Sequence, residues 1–311
     1  MNKEFAILIP TRNRAEKVAN LLSSIQSSIR QPYQIIIVAS GEDISATVDE
    51  FKDLLPISYR HTDSIGQIAQ KKIGISLIMP RAEWCLFLDD DLLLAPNAID
   101  NAFKAIDAFI ADDVIGVGLS LPSTTRAGDV NWLIRTAANF FGIKTSPPGR
   151  VFKNGHASSY LDEKLVTETQ WLNGASLWKS ELLDTYGKEL PSTSYAACED
   201  LIFSYPLNKL GKLIYAPSAK LQFQVSELSD FDSLRVMEAA AYWRFYFVSI
   251  HKELSIWSFA FSQIGRSFFA IIKTKERKIH FTLGLIKLEA RIIVSIMKKK
   301  DPRQLLNLLV N

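Results

Sequence analysis

A chain of 311 residues, 48% hydrophobic and 22% charged, is long enough for one large core, or for a domain of about 250 residues with an appendage, and too apolar for disorder. Two cysteines and four scattered histidines exclude a disulfide scaffold and a zinc enzyme. The net charge of +3 hides an asymmetry: residues 251–311 carry 12 Lys or Arg against 4 Asp or Glu, which leaves 24 against 29 in residues 1–250 from totals of 36 and 33.

Phe5 to Pro10 is a short apolar strand ended by proline, and Thr11-Arg12-Asn13-Arg14 is a polar turn. Val18, Leu21, Leu22, Ile25 and Ile29 recur at helical spacing across Ala15 to Ile29. Gln34 to Ala39 is a second buried strand, so the chain opens with a right-handed βαβ unit and a parallel sheet. A helix over Val48 to Leu54 and an edge strand over Ile57 to Arg60 follow. Ser64-Ile65-Gly66 opens a helix through Leu77 that carries Lys71 and Lys72. No signal-peptide stretch follows Met1, and Cys85 and Cys198 sit in apolar surroundings, so the body is expected in the cytoplasm.

Trp84 to Leu88 has the apolarity of a strand buried on both faces and runs into Asp89-Asp90-Asp91. Open α/β sheets place ligand-binding groups at such C-terminal strand edges. Three adjacent carboxylates repel one another, and either water or a divalent cation with an anionic ligand must offset that. In extended backbone Asp89 and Asp91 share a side and would hold a hard cation against phosphates; a solvated acidic turn is the plainer alternative. No Gly-rich Lys-Ser or Lys-Thr loop and no Gly-x-Gly turn after the first strand is present, which excludes a P-loop site and a dinucleotide site.

Pro96 to Ile110 reads as a helix and Val114 to Leu119 as a strand, after which periodicity weakens from Pro122 to Glu168. Regular structure returns at Trp171 to Trp178, with a short helix over Lys179 to Tyr186 and a helical run from Leu201 to Leu210 behind Cys198-Glu199-Asp200. Asp200 near that helix's start is favoured as an anion and would take a proton from an attacking hydroxyl, with Glu199 beside it. Helix capping is the alternative for Glu199 and a solvated first-turn acid for Asp200. Leu213 to Pro217 and Ala219 to Val225 are two short strand candidates.

The last seventy residues differ in kind. Leu234 to Ile250 is helical and aromatic, and Leu254 to Ile272 holds five Trp or Phe residues with Arg266 as its one charge between Lys252-Glu253 and Lys273. Its length approaches a membrane span, but interspersed serines and basic clusters at 273–278 and 298–300 favour an element lying in the interface of an anionic membrane. A core helix with a soluble basic tail explains the composition as well. Nucleic-acid binding is not expected, because the basic residues gather in this aromatic tail rather than along the α/β body.

In their order, Ile7 to Arg14, Ser64-Ile65-Gly66 with Ala69 and Gly74, Phe87 to Asp91, Gly174-Ala175-Ser176, Glu199-Asp200 and Gly211 through Pro217 resemble a family 2 glycosyltransferase, the inverting group with the GT-A fold. The resemblance implies a mostly parallel central sheet flanked by helices in residues 1–228, followed by a helical, membrane-associating region in 229–311. It implies an enzyme, of hexosyl- or deoxyhexosyltransferase type, that moves a sugar from a nucleoside-diphosphate donor to an acceptor hydroxyl. It assigns the general base to Asp200 with Glu199, Mn2+ or Mg2+ to Asp91 and Asp89, and the donor pocket to Pro10, Thr11, Arg12, Arg14, Ala39, Gly66, Lys71, Asp89, Asp90, Asn173 and Gly174. Trp171 would shape the sugar and acceptor side. Three departures stand out, one of them Lys72 where an asparagine is often seen in the helix after the Gly66 turn. Ala39, followed by Ser40, replaces a base-contacting aspartate, leaving backbone groups, Glu42 or Asp43 for the base, and Leu221-Gln222-Phe223-Gln224 replaces a metal-binding histidine. The tail resembles members that act on polyprenyl-diphosphate-linked acceptors in bacterial surface-polysaccharide synthesis, which places the chain peripherally on the inner face of the plasma membrane. A degenerate domain that binds membrane or a partner, and a nucleotidyltransferase, are the alternatives; the latter would want glycines after the first strand.

Overall fold

The computed structural model describes residues 3–109, 113–122, 132–188, 190–191, 196–224, 233–273 and 278–309. In chain order the first elements are β1 (Phe5–Arg12), α1 (Ala15–Gln26), β2 (Gln34–Ser40), α2 (Ser45–Asp49), β3 (Ile57–Thr62), α3 (Gln67–Ile75), β4 (Trp84–Phe87), β5 (Leu92–Leu94), α4 (Ala98–Ala108) and β6 (Val114–Ser120). There follow α5 (Trp132–Phe140), β7 (Thr167–Thr169), β8 (Ser176–Lys179), a 3-10 turn over Ser180–Thr185, α6 (Glu199–Leu207) and β9 (Lys212–Phe223). The C-terminal helices are α7 (Ser233–Ile250), α8 (Ile256–Lys273), α9 (Lys278–Met297) and the short α10 (Arg303–Leu306). Two compact units emerge: Met1–Thr124, Tyr160–Ser194 and Asp200–Ser226 form one, and Thr125–Ser159, Tyr195–Glu199 and Glu227–Asn311 the other.

The first unit is built on a sheet of order β3-β2-β1-β4-β8-β6-β9-β5, with β7 on β9. The strands β3-β2-β1-β4 are parallel, as the opening βαβ pattern requires. Beyond β4 the sheet turns mixed, because β8 runs antiparallel to both β4 and β6. Ile7, Ile9, Ile35, Ile37, Leu86 and Leu88 form the core with Val18, Leu21, Leu22 and Ile25 of α1. Each such side chain contributes about 1.5–3 kcal/mol when fully buried.

Two strands run further than their prolines suggest. β1 continues through Pro10 to Arg12 because β4 pairs only Phe5 to Leu8, so the proline's missing N–H falls where that flank has no partner. The two short candidates around Pro217 are a single strand, β9. Its register against β6 shifts between Leu119↔Ala216 and Ser120↔Lys220, and the bulge absorbs the proline.

The second unit is helical. α7 buries Tyr242, Trp243, Phe245, Tyr246 and Phe247. α8 is amphipathic with its polarity reversed: Ser262, Gln263 and Ser267 are buried with Phe259, while Trp257, Phe261, Ile264, Phe268 and Ile272 are exposed. The buried polar atoms meet Glu289 of α9, which accepts from Ser267 at 2.5 Å and Gln263 at 3.3 Å. α9 is apolar on two faces, with Phe281, Leu285, Leu288 and Ile292 buried and Ile279, Leu283, Ile286, Ile293 and Met297 exposed. No described helix is long and apolar enough to cross a membrane.

Candidate active site

Pro10, Thr11, Arg12 and Arg14 from the end of β1, Gly66, Gln67 and Gln70 from the start of α3, and Asp89, Asp90 and Asp91 after β4 line one cleft of about 380 Å³. All three segments follow the C-terminal ends of parallel strands, where such sheets bind ligands. Gly66 has φ 109°, a conformation open to glycine, and turns the chain into α3 directly at the cleft wall.

The three acids have unlike environments. Asp90 is 4% exposed, and both of its oxygens are occupied: Thr11 Oγ1 donates to Oδ2 at 2.7 Å and Arg14 Nη1 to Oδ1 at 2.7 Å. Burial lowers the Arg14 pKa, but the bond to Asp90 and the fields of all three acids outweigh it and raise the value overall. Asp89 Oδ1 accepts from Gln67 Nε2 at 2.8 Å. Its Oδ2 lies 3.3 Å from where a Cβ on Gly174 would stand, so a side chain there would crowd the carboxylate. Asp91 is partly exposed, with its nearest cationic atom, Arg14 Nη1, 3.9 Å away.

A clamp at the end of β9 fixes this acidic loop. The Gln224 backbone N–H donates to Asp91 O at 2.8 Å, and its Nε2 donates to Lys17 O at 2.9 Å and Asp90 O at 3.0 Å. Its Oε1 accepts from Asn20 at 3.2 Å. In the segment where the family's histidine is missing, this amide is therefore committed to backbone. Carboxylate oxygens such as those of Asp91 and Asp89 are the donor type that could hold a hard divalent cation together with phosphate oxygens. Among the described residues no group of three or more His, Cys, Asp or Glu converges on a metal position.

Gln67 and Gln70 escaped sequence reasoning. Gln70 is 3% exposed and donates to Thr11 O at 2.5 Å and Val38 O at 2.9 Å, tying the ends of β1 and β2 together. Lys71 is buried rather than on the helix surface, its Nζ 5.4 Å from the Phe87 ring centroid, and it does not line the cleft. Ala39 is buried beside Thr11, and the adjacent Ser40 Oγ is buried without a partner among the described residues. Asp43 is drawn away by Tyr59, whose hydroxyl donates to it at 2.6 Å, and by the Ser45 N–H at 3.0 Å.

Asn173 is 6% exposed; its N–H donates to Tyr160 Oη at 2.6 Å and its Nδ2 to Leu119 O at 3.1 Å, while Oδ1 has no partner among the described residues. Trp171 packs on the same Tyr160, with ring centroids 5.1 Å apart. Burial first, then the field of Asp200, raises the Tyr160 pKa well above its ordinary value. Asp200 Oδ1 accepts from the Leu201 N–H at 2.7 Å in the first turn of α6. Glu199 is 6% exposed, and the division between the two units falls between it and Asp200.

The family model described as "Glycosyl transferase family 2" matches residues 6–164. No curated protein matches the chain. Among solved structures it is similar to Staphylococcus aureus TarS 1-349, at 15% identity over 93% of this chain and 81% of that one, with a TM-score of 0.55. It is similar to the mannosyltransferase PcManGT from Pyrobaculum calidifontis in complex with GDP-Man and Mn2+, at 13% identity over 96% and 88% and a TM-score of 0.55. A third is TarS 1-349 in complex with UDP-GlcNAc, at 14% identity over 96% and 92% and a TM-score of 0.51. Identities this low speak for the fold.

Proposed function

The chain belongs to glycosyl transferase family 2, and on that premise we propose that it moves one sugar from a nucleoside-diphosphate donor to an acceptor hydroxyl with inversion at the anomeric carbon. It is a glycosyltransferase, and its α/β unit has the GT-A architecture. The observation that carries the detailed reading is the division of labour among the acids: Asp90 is consumed in bracing the loop, which leaves the partly exposed Asp91 to face a ligand in the cleft.

The donor's diphosphate would lie in the cleft against Arg12 and Arg14, with Pro10, Thr11 and Gly66 as walls. Asp89, aimed by Gln67, would accept a hydroxyl of the nucleoside. A divalent Mn2+ or Mg2+ held by Asp91 and Asp89, with phosphate oxygens, would supply the positive charge that stabilises the departing nucleotide. Asn173 Oδ1, an acceptor without a partner among the described residues, would orient a hydroxyl of the transferred sugar. Asp200 would accept the proton of the attacking hydroxyl, and attack opposite the leaving diphosphate inverts the carbon. PcManGT with GDP-Man and Mn2+ and TarS with UDP-GlcNAc support this choice of ligand class.

For the acceptor we propose a saccharide linked through diphosphate to a polyprenyl lipid, as in surface-polysaccharide synthesis, met at an anionic membrane surface. The reversed amphipathicity of α8, the outer apolar face of α9 and the exposed Lys298, Lys299 and Lys300 support peripheral attachment. A screen of GDP-, UDP- and dTDP-sugars by calorimetry with Mn2+ tests the activity. One donor family is expected to bind only with metal and to lose binding in Asp91→Asn. Silence from every donor would favour a degenerate binding domain.

A further inference from the structure

The second unit holds a group of charges that sugar transfer from the donor cleft does not use. Arg266 Nη2 lies 2.7 Å from His156 Nδ1, and His156 Nε2 lies 2.8 Å from Lys144 O. A carbonyl can only accept, so Nε2 carries the ring proton and Nδ1 accepts from the guanidinium; the imidazole is neutral. Arg244 packs on the preceding residue: a Cβ built on Gly155 would stand 3.4 Å from its Cγ. Burial, then the fields of Arg266 and Arg244, push the His156 pKa down to about 3.

Neither arginine has a carboxylate partner among the described residues. Arg266 Nε is buried without a hydrogen-bond partner. Burial and then the field of Arg244 push its pKa down to about 9, and among the described residues the Cys198 thiol is the group whose field favours its charge. The field of the same thiol favours the charge of Arg244, whose pKa burial lowers. The nearby acids of α7 and α9 are engaged elsewhere: Glu238 pairs with Arg291 at 3.3 Å, and Glu289 accepts from Ser267 and Gln263. Two arginines that both pack against Gly155-His156, partly out of water and without a counter-charge among the described residues, are costly, and proteins tolerate this where an anion arrives to offset it. Arginine forks suit the oxygens of a phosphoryl group.

We propose that Arg244 and Arg266, with neutral His156 holding the second guanidinium in place, form a binding site for a phosphoryl anion. The proposal deepens the acceptor reading above: a diphosphate joining saccharide to lipid is one source of that chemistry, and free phosphate or pyrophosphate is the other. The site needs neither metal nor the residues of the donor cleft.

The test uses the full chain at neutral pH with chelator present, so that metal-dependent binding in the donor cleft is silent. Inorganic pyrophosphate, inorganic phosphate and a short-chain prenyl diphosphate in detergent are compared with sodium chloride at matched ionic strength. The thermal midpoint is expected to rise by about 4 °C or more with saturating pyrophosphate and not with chloride. Arg244→Gln and Arg266→Gln should each weaken binding by about tenfold or more while leaving the metal-dependent response to nucleotide sugar unchanged. A prenyl diphosphate at least tenfold tighter than pyrophosphate assigns the lipid-linked source, and equal affinities assign the free anion.

Phenylglyoxal modification of the wild-type protein, mapped by peptide mass, keeps the outcome readable if a variant fails to fold. Arg244 and Arg266 should be protected by pyrophosphate and not by chloride. Absence of that protection, or variants that bind as tightly as wild type, would overturn the site. The nucleotide-sugar response, read separately, reports on the donor reading.

Discussion

The Thr11 hydroxyl and the Asp90 carboxylate, 79 residues apart in sequence, meet at 2.7 Å where β1 and the loop after β4 leave the sheet. Arg14 holds the other oxygen, so the middle acid of the triplet is a brace between two loops. Asp90→Ala should lower unfolding stability by about 2–3 kcal/mol, because it strands a buried hydroxyl and removes a charge-assisted bond. Urea titration checks this; a loss within a few tenths of a kcal/mol would refute the bracing role.

Asp91→Asn and Asp200→Asn should each leave the melting midpoint within a few degrees of wild type while cutting turnover by at least about 100-fold, the scale of losing charge stabilisation or a positioned base. Only the first should alter the metal requirement for donor binding. Wild-type-like kcat in either purified variant would remove that residue from the mechanism.

Gln224 bonds four backbone carbonyls of two segments, Asp91 O through its N–H and Lys17 O, Asp90 O and, at 3.5 Å, Leu92 O through its side chain. Gln224→Ala keeps the backbone bond and loses the others. It should cost about 1–2 kcal/mol and raise the metal concentration for half-maximal activity several-fold, through looser placement of Asp91. An unchanged metal titration alongside a lowered melting midpoint would reduce Gln224 to a purely structural tie.

His156 predicts a pH effect on the second unit. Its folded pKa of about 3 lies below the unfolded value of about 6.5, so the unfolded chain takes the proton first as pH falls. The contribution is fully present above about pH 6.5 and drains away toward pH 3, by at most about 1.4 kcal/mol per pH unit. Thermal melts between pH 7 and 4 should show a shallower loss for His156→Gln than for wild type. Parallel slopes would mean the imidazole titrates freely.

The front of the sheet was legible because strands buried on both faces are written as uninterrupted apolar runs, such as Ile35 to Ala39 and Trp84 to Leu88. Eight residues named from motif, from Pro10 to Asp91, line one cleft. Sequence could not divide the labour among Asp89, Asp90 and Asp91, because that depends on partners distant in the chain. Lys71 looked like a surface cation until the packing of α3 buried it. Gln67 and Gln70 carried no signal beyond their place behind Gly66. α9 escaped because apolar residues on two faces blur the helical period, and the helix α5 lies in a stretch where periodicity is weak.

β9 holds a further implication for how the protein is made. Residues lining the cleft are all translated by Asp91, yet the amide that fastens their loop, Gln224, follows at the end of a strand paired antiparallel with β5. A ribosome-bound chain stopped short of that residue would carry every cleft-lining acid and the Thr11–Arg14 brace on Asp90, but not the amide that ties Asp90 and Asp91 to Lys17. Donor capture should consequently mature late in synthesis, and nascent chains of increasing length should gain it abruptly once Gln224 clears the exit tunnel.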